Sequence, residues 1–263
     1  MTEVLLTGAA GRIGSYLRAG LPPLGWQPRC LDLAAPAAPD GLRWTLADIA
    51  DPASSAALEQ ACRGVSAVVH LAGIPGEADF DALRRANIDG VHQVFEAARR
   101  AGVPRIVYAG SNHAVGFHES GAPLAADLAP RPDSLYGVTK AFGEALGSYY
   151  ADRYGMDVAS VRIGSCFDEP PTVRALATWL SPDDAVRLVD ALLRAPSFGH
   201  AVLYGISANT RAWWDLGTAR ALGYAPQDDA EAFAPRLLAE QGPLPPHDPD
   251  ARYAGGKAAV GIW

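Results

Sequence analysis

A doubly wound α/β fold built on a parallel sheet is predicted by three features of the sequence. Short apolar runs alternate with helix-period segments from the first residues to about residue 165, the pattern of strands joined by crossover helices. The first run, Val4-Leu5-Leu6, leads directly into Thr7-Gly-Ala-Ala-Gly-Arg-Ile-Gly14, whose glycines have the spacing GxxGxxG. Gly8, Asp32, Asp48, Gly73 and Ser111 all fall at the expected C-terminal ends of strands, the edge of such a sheet where ligands bind.

Each element has its own justification. Glycine lets the first strand-to-helix turn close, lets its backbone approach a pyrophosphate, and lets the helix pack tightly on the strand. The helix N-terminus that follows offers free N–H groups and a positive dipole end to the same anion. A second strand, about Gln27 to Leu33, carries Asp32 eighteen residues after Gly14. An acidic residue at that separation holds the adenosine ribose of NAD and repels the extra phosphate of NADP. Arg29 and Arg43 are nearby cations, yet Asp32 makes NAD the expected cofactor. Leu42 to Leu46 reads as a short third strand, with Asp48 placed to meet the adenine, and residues 52–62 read as a helix. Ser66 to Leu71 is a nearly unbroken apolar run of the kind buried in a parallel sheet, followed by Ala72-Gly73. A long helix is expected from about Asp79 to Arg100, with Asn87 near its middle. Val103 to Ala109 forms a fifth strand ending at Gly110-Ser-Asn-His113, and Asp157 to Ile163 a sixth ending at Gly164-Ser-Cys166.

Between those two strands lies Ser134-Leu-Tyr-Gly-Val-Thr-Lys-Ala-Phe-Gly-Glu144. It opens a helix and sets Tyr136 and Lys140 one turn apart on one face. An ammonium beside a phenol favours the phenolate, so a tyrosine that ordinarily titrates near ~10 can act as a base near neutral pH. An exposed tyrosine and lysine on an amphipathic helix give the same pattern, so the pair alone does not establish catalysis.

Beyond residue 165 the alternation loosens. Ser181-Pro-Asp-Asp184 has a capping serine, a proline at the first helical position and acids in the first turn, predicting a helix through about 195. A strand is expected over His200–Ile206 and two helices over 214–222 and 228–241. Pro243 to Pro249 holds four prolines and predicts no regular structure. The tail from Arg252 has apolar ends, Tyr253 and Ile262-Trp263, around a glycine-rich middle, suited to packing on the body or on a neighbouring subunit. The whole reads as a single domain over 1–263, with a Rossmann-type core over about 1–165 and a small C-terminal substrate-binding lobe and tail over about 166–263.

Composition narrows the function classes. The 263 residues are 49% apolar and 19% charged, with 29 acidic and 22 basic side chains and a net charge of −7. No basic block marks a nucleic-acid footprint. Cys30, Cys62 and Cys166 lie far apart with no CxxC and no clustered histidine, against a disulfide framework and against a metal site. No apolar run approaches the ~20 residues of a membrane span, and the chain opens directly on a strand, so neither membrane association nor a signal peptide is expected. A reducing cytoplasm is the expected setting.

With the glycine turn, Asp32, Ser111, Tyr136 and Lys140 together, the chain resembles the extended short-chain dehydrogenase/reductase family, from Thr7 to about Trp214. Within it, Gly110-Ser-Asn-His-Ala-Val-Gly116, Pro132 to Glu144 and Val161-Arg-Ile-Gly-Ser-Cys166 look like the blocks of bacterial uronate dehydrogenases. Glu169-Pro170 with Arg174, Thr178 to Asp184, Ser207-Ala-Asn209 and Trp213-Trp-Asp215 extend the match. The resemblance implies NAD-dependent oxidation of D-glucuronate and D-galacturonate at C1, giving an aldarolactone that opens to the aldarate, by an enzyme that forms homo-oligomers. It implies Tyr136 as the base, Lys140 beside it and Ser111 orienting the reacting oxygen. It implies cofactor contacts at Gly8, Gly11, Arg12, Ile13, Gly14 and Asp32, then at Asp48, Ile49, Leu71, Ala72, Gly73 and Asn87, and finally at Tyr136, Lys140, Ile163 and Cys166. For the sugar it implies Ser111, Asn112, His113, Tyr136 and Ser165, with Arg174 clamping the carboxylate through its planar fork. One departure stands out: Pro75 occupies the position where a serine contacting the sugar is expected. Cys166 reads as a buried small hydrophobe and Trp213-Trp214 as core or interface aromatics.

Two other functions fit parts of the pattern. A nucleotide-sugar epimerase or dehydratase shares the glycine turn and the Tyr/Lys pair but usually carries a larger C-terminal lobe than the roughly 100 residues here. A non-catalytic dinucleotide sensor would keep the fold but has no use for Ser111, Tyr136 and Lys140 together.

Overall fold

The computed structural model describes residues 2–38, 40–120 and 123–262; Trp263 of the tail lies outside them. Seven parallel strands form one sheet in the order β3-β2-β1-β4-β5-β6-β9. They are β1 (Thr2–Thr7), β2 (Trp26–Asp32), β3 (Arg43–Leu46), β4 (Ala67–His70), β5 (Arg105–Ser111), β6 (Asp157–Ile163) and β9 (His200–Gly205). A two-stranded parallel sheet, β7 (Ser165–Cys166) with β8 (Trp179–Leu180), stands apart. The helices are α1 (Arg12–Gly20), α2 (Ser55–Cys62), α3 (Phe80–Arg84), α4 (Gly90–Arg100), α5 (Leu135–Tyr154), α6 (Ala175–Thr178), α7 (Pro182–Arg194), α8 (Gly217–Ala221), α9 (Ala234–Gln241) and α10 (Pro249–Arg252). The strand order reverses at β1, which pairs with β2 on one side and β4 on the other, and a crevice opens there at the strands' C-terminal ends.

Strand residues alternate between two apolar layers because successive side chains leave a strand on opposite faces. Val4 and Leu6 of β1, Val69 of β4 and Val107 of β5 join one layer with Leu17 of α1 and Val186 and Leu192 of α7. Leu5, Val68 and Ile106 join the other with Leu58 of α2 and Val94 and Phe95 of α4. Both layers being filled explains why these strands read as unbroken apolar runs. Chain beyond residue 165 returns to this body, since β9 extends the sheet against β6 and Asp190 of α7 accepts from the Trp26 indole at 2.7 Å.

Serine hydroxyls open two of the helices, the one at Ser181 as expected. Ser134 Oγ accepts from Gly137 N at 2.9 Å to open α5, and Ser181 Oγ accepts from Asp184 N at 2.9 Å to open α7. Elsewhere the elements depart from expectation for local reasons. The helix expected over 79–100 is interrupted by a π turn at Arg85–Asp89, where one extra residue rotates Asn87 inward. The helix expected over 52–62 begins with a 3₁₀ turn, Pro52–Ser54, capped by Asp51. That expected over 214–222 shrinks to α8, because Trp213 and Trp214 pair with the backbone of Leu124. That over 228–241 splits into a 3₁₀ turn, Ala230–Phe233, and α9. The proline-rich stretch yields one helical turn after all, since Asp248 caps α10 and Pro249 occupies its first position, where no N–H is required. The tail packs on the body: Ala254 is fully buried, and its N–H donates to the His118 carbonyl at 2.8 Å.

One buried ion pair ties α5 to the sheet. Arg162 of β6 gives Nε to Glu144 Oε1 at 2.8 Å and Nη2 to Oε2 at 2.9 Å, while its remaining donors reach the carbonyls of Ala126 and Leu128, both at 3.1 Å. Glu144→Ala leaves that guanidinium uncompensated in the core. It is expected to destabilise the fold by about 3–5 kcal/mol, measurable as a lowered denaturant midpoint; a change below about 1 kcal/mol would show the pair to be energetically idle.

Candidate active site

The crevice at the strand reversal has a volume of about 920 Å³ and runs from the β1–α1 turn across the ends of β2, β4, β5 and β6. At one end, Gly8 adopts φ +68°, and a Cβ there would stand 2.6 Å from Ala72 N. A Cβ on Gly14 would stand 2.5 Å from the Gly8 carbonyl. The turn and the first turn of α1 are therefore closed to side chains and leave backbone facing the cleft, as a pyrophosphate requires. Asp32 is fixed by accepting from Ala10 N at 2.8 Å and from Leu33 N at 2.7 Å; an ionised carboxylate so held keeps further acceptor sites for a ribose diol. Asp48 accepts from Ala50 N at 2.8 Å, and Ile49 lines the cleft beside it. These residues fit the adenosine diphosphate half of a dinucleotide.

The other end is assembled from β5, α5 and β6. Ser111 closes β5, and its Oγ accepts from His113 N at 3.2 Å. Tyr136 and Lys140 project from α5 and are both buried. Lys140 Nζ donates to the Ala109 carbonyl at 2.9 Å and lies 5.5 Å from the centre of the Tyr136 ring. Burial pushes the Tyr136 phenol up to about 12, opposed by a hydrogen bond from Ser111 and reinforced by the charge of Asp133. Burial also draws the Lys140 ammonium down to about 8. The simple expectation that Lys140 holds the phenol down is thus outweighed in this structure by the desolvation of both groups.

The residues expected to meet a sugar line the same end: Asn112, His113, Ser165 and Arg174. His113 Nδ1 sits 2.9 Å from Asp133 Oδ2, and Ser165 Oγ pairs with Thr178 Oγ1 at 3.0 Å. Asn112 Nδ2 and Arg174 Nη2 both donate to the Ala254 carbonyl, at 3.0 and 2.6 Å. Arg174 is half-buried, its Nε enclosed and without a hydrogen-bond partner among the described residues, and desolvation lowers its pKa against the pull of Asp250 and Asp133. Pro75 lines the cleft and offers no side-chain donor.

Every residue singled out from the sequence lines this cleft except Asn87. Asn87 stands behind it and is committed to protein partners: Oδ1 accepts from Ile74 N at 2.8 Å, and Nδ2 donates to the Ile74 carbonyl at 3.0 Å and to Thr139 Oγ1 at 3.2 Å. It braces the Gly73–Ile74 wall. Cys166 is buried and its thiol is pushed up to about 12 by desolvation, an inert group. Trp214 stacks on Tyr204 in the core at 5.1 Å. Sequence reasoning missed Glu77, whose Oε2 accepts from Tyr136 N at 2.9 Å, and Asp133. It also missed the strap across the cofactor end, where Phe167 lies 4.1 Å under the Arg12 guanidinium and Asp168 accepts from Tyr16 Oη at 2.9 Å. Only the position of Asp133, inside the block beside Ser134, was a usable signal. No group of three or more metal-ligating side chains occurs among the described residues, and no helix there is long and apolar enough to cross a membrane.

Known proteins share this architecture. Residues 4–172 match the profile of the NAD dependent epimerase/dehydratase family. The uronate dehydrogenase of Pseudomonas syringae pv. tomato is 43% identical over 257 residues, 97% of this chain and 92% of that protein. The crystal structure of a Y136A mutant of uronate dehydrogenase from Agrobacterium tumefaciens, complexed with NAD, superposes with a TM-score of 0.91 at 41% identity, covering 99% of this chain and 97% of that one. The NAD-dependent glucose-6-phosphate dehydrogenase of Haloferax volcanii is 40% identical over 252 residues, 88% of this chain and 95% of that protein.

If the glycine turn carries the cofactor, Gly14→Ala must push α1 away from the turn. NAD⁺ affinity, measured by calorimetric titration, is expected to fall at least about tenfold; an unchanged affinity would remove the turn from the binding site.

Proposed function

The chain belongs to the NAD dependent epimerase/dehydratase family and, within it, to the uronate dehydrogenases, and on that premise we propose that Tyr136, Ser111, Lys140 and Arg174 carry out NAD⁺-dependent oxidation of D-glucuronate and D-galacturonate at C1. The observation that carries the reading is the half-buried Arg174 side chain, 14% exposed, lining the same cleft as Tyr136 and Ser111. A cation in that position, away from the dinucleotide turn, matches a substrate that bears its own carboxylate.

When bound, the oxidised cofactor supplies the acceptor for the C1 hydrogen and a positive ring charge beside the phenol. Tyr136 takes the proton of the C1 hydroxyl through Oη. Ser111 hydrogen-bonds the reacting oxygen and, by its bond to the phenol, stabilises the phenolate. Lys140 donates to the Ala109 carbonyl, and its ammonium would also hold the nicotinamide ribose when the cofactor is bound. Arg174 grips the carboxylate; Asn112, His113 and Ser165 meet the hydroxyls. Positioning of this kind accounts for as much as about 7–11 kcal/mol of a barrier in the best intramolecular analogues. Loss of the proton and of the C1 hydrogen with its electron pair leaves a lactone, which water opens to the aldarate.

We further propose a homo-oligomer in a reducing cytoplasm. Leu135, Val138, Tyr149 and Tyr154 are exposed along α5, an apolar face suited to a second copy. All three cysteines are buried free thiols, a state a reducing compartment preserves.

The test is NADH formation across glucuronate, galacturonate, glucose, glucose 6-phosphate and UDP-glucose. Uronates are expected to turn over with net NADH accumulation and the others to be poor; equal turnover of glucose would remove the reason for Arg174, and NADH failing to accumulate would favour an epimerase. Tyr136→Phe is expected to lower kcat by about 10²–10⁴-fold with NAD⁺ binding retained. The pH dependence follows from the two shifted groups. kcat/KM is expected to rise with pH as the Tyr136 phenol approaches ionisation and to fall above about 8 as Lys140 loses its charge. A kcat/KM that neither rises with pH toward about 8 nor falls beyond it would refute that pairing of roles.

A further inference from the structure

The last stretch of chain, from Asp248 to Val260, does more than cover the body. Its Ala254 carbonyl accepts from both Asn112 Nδ2 and Arg174 Nη2, two side chains from elements far apart in sequence. The stretch is anchored on the other side by the Ala254 N–H to the His118 carbonyl at 2.8 Å and by Gly255 N to the Gly116 carbonyl at 2.9 Å. Asp250, 3.9 Å from Arg174 Nε, accepts from Lys257 N at 2.9 Å, which folds the tail into a turn around the guanidinium. That turn leaves no room. Gly256 has φ +64°, and a Cβ on it would lie 2.6 Å from Arg174 Nε and 2.4 Å from Asp250 Oδ1. A Cβ on Gly255 would lie 1.5 Å from Asp133 Oδ2, the carboxylate paired with His113.

We propose that the C-terminal segment Asp248–Val260 is a positioning element of the substrate site, its Ala254 carbonyl and Gly255-Gly256 turn holding Arg174 and Asn112 at the spacing that receives an anionic sugar. The inference rests on the reading of Arg174 as the carboxylate clamp. It extends that reading by making substrate selectivity depend on a backbone group and two glycines that touch neither cofactor nor reacting atoms. A guanidinium with one Nη committed to a carbonyl and Nε held clear of Asp250 has a fixed plane, and a bidentate grip on a carboxylate depends on that plane.

The experiment compares three glycine variants of the full chain, with steady-state constants for glucuronate and NAD⁺. Gly256→Ala and Gly255→Ala are expected to raise the glucuronate KM about tenfold or more, with NAD⁺ affinity unchanged and kcat little altered. Gly261→Ala is the matched control. Gly261 also has positive φ, +78°, but nothing lies within 4 Å of its Cβ position, so it carries comparable backbone strain without touching the clamp and its KM is expected to stay at the parent value. Placed in an Arg174→Ala background, Gly256→Ala is expected to add less than about twofold, because its effect runs through Arg174. Equal KM effects of Gly256→Ala and Gly261→Ala, or additivity with Arg174→Ala, would overturn the proposal and leave the clamp standing. A glucuronate KM unmoved by Arg174→Ala itself would overturn both.

Discussion

The close approach of Gly8 to Ala72 sets the geometry on which the rest of the molecule depends. β1 pairs with strands on both sides, and the chain continues in opposite directions from that point. A side chain at Gly8 would overlap the backbone of Ala72, and one at Gly14 the carbonyl of Gly8. Only because both are absent can the end of β4 and the start of α1 come together and leave a crevice walled by backbone. Asp32 enters that wall already oriented by two amides. Asn87 supports it from behind, pairing with both polar groups of Ile74. The π turn that carries Asn87 exists at the cost of helix regularity, and its position behind the cleft explains why that irregularity is tolerated.

Desolvation is the second constraint, and it acts on charges of both signs. The cleft floor buries Lys140, Tyr136 and His70 together. Burial, with a smaller effect of Lys140, brings His70 down to about 3, so the imidazole beneath the site is neutral and its Nδ1 meets Thr7 Oγ1 at 2.6 Å. Burial raises Tyr136 and lowers Lys140, which moves the two groups toward a state in which neither is charged. A site of this kind is poised to respond to a cation arriving beside the phenol. Ser111, bonded to the phenol oxygen, favours the phenolate before such a charge arrives.

How much of this was legible follows from the range of each interaction. The strands, the glycine turn, the Ser181 cap and the Tyr136–Lys140 face all depend on residues within a turn or two of one another, and local patterns report them. The lining of the cleft's dinucleotide end was anticipated almost residue by residue for the same reason, since its positions repeat at strand ends. The supports of the substrate half were not. The Ala254 carbonyl lies 142 residues from Asn112 and 80 from Arg174, and a backbone carbonyl has no signature in sequence. Glu77 reaches the first turn of α5 across 59 residues. The tail's glycines read only as a glycine-rich middle, whereas Gly256 is glycine because Arg174 and Asp250 occupy the space a side chain would need.

This division bears on how one scaffold comes to serve different sugars. The dinucleotide end is built from backbone and glycine, which substitution can scarcely alter without closing the crevice. The sugar end is built from side chains held by late, loosely patterned chain: Arg174 by the tail, Ser165 by Thr178, His113 by Asp133. These supports lie apart from the glycine turn, so each is free to vary without closing the dinucleotide end of the crevice. A relative 40% identical and named for glucose 6-phosphate is what such an arrangement permits, since both sugars present an anion remote from C1. Pro75 sharpens the point. It offers neither a hydroxyl nor an N–H at that lip, whereas Asn112 and Arg174, which line the same cleft, share one carbonyl. That shared acceptor couples the two side chains: a displacement of Ala254 moves both contacts at once, and neither can be retuned without the other.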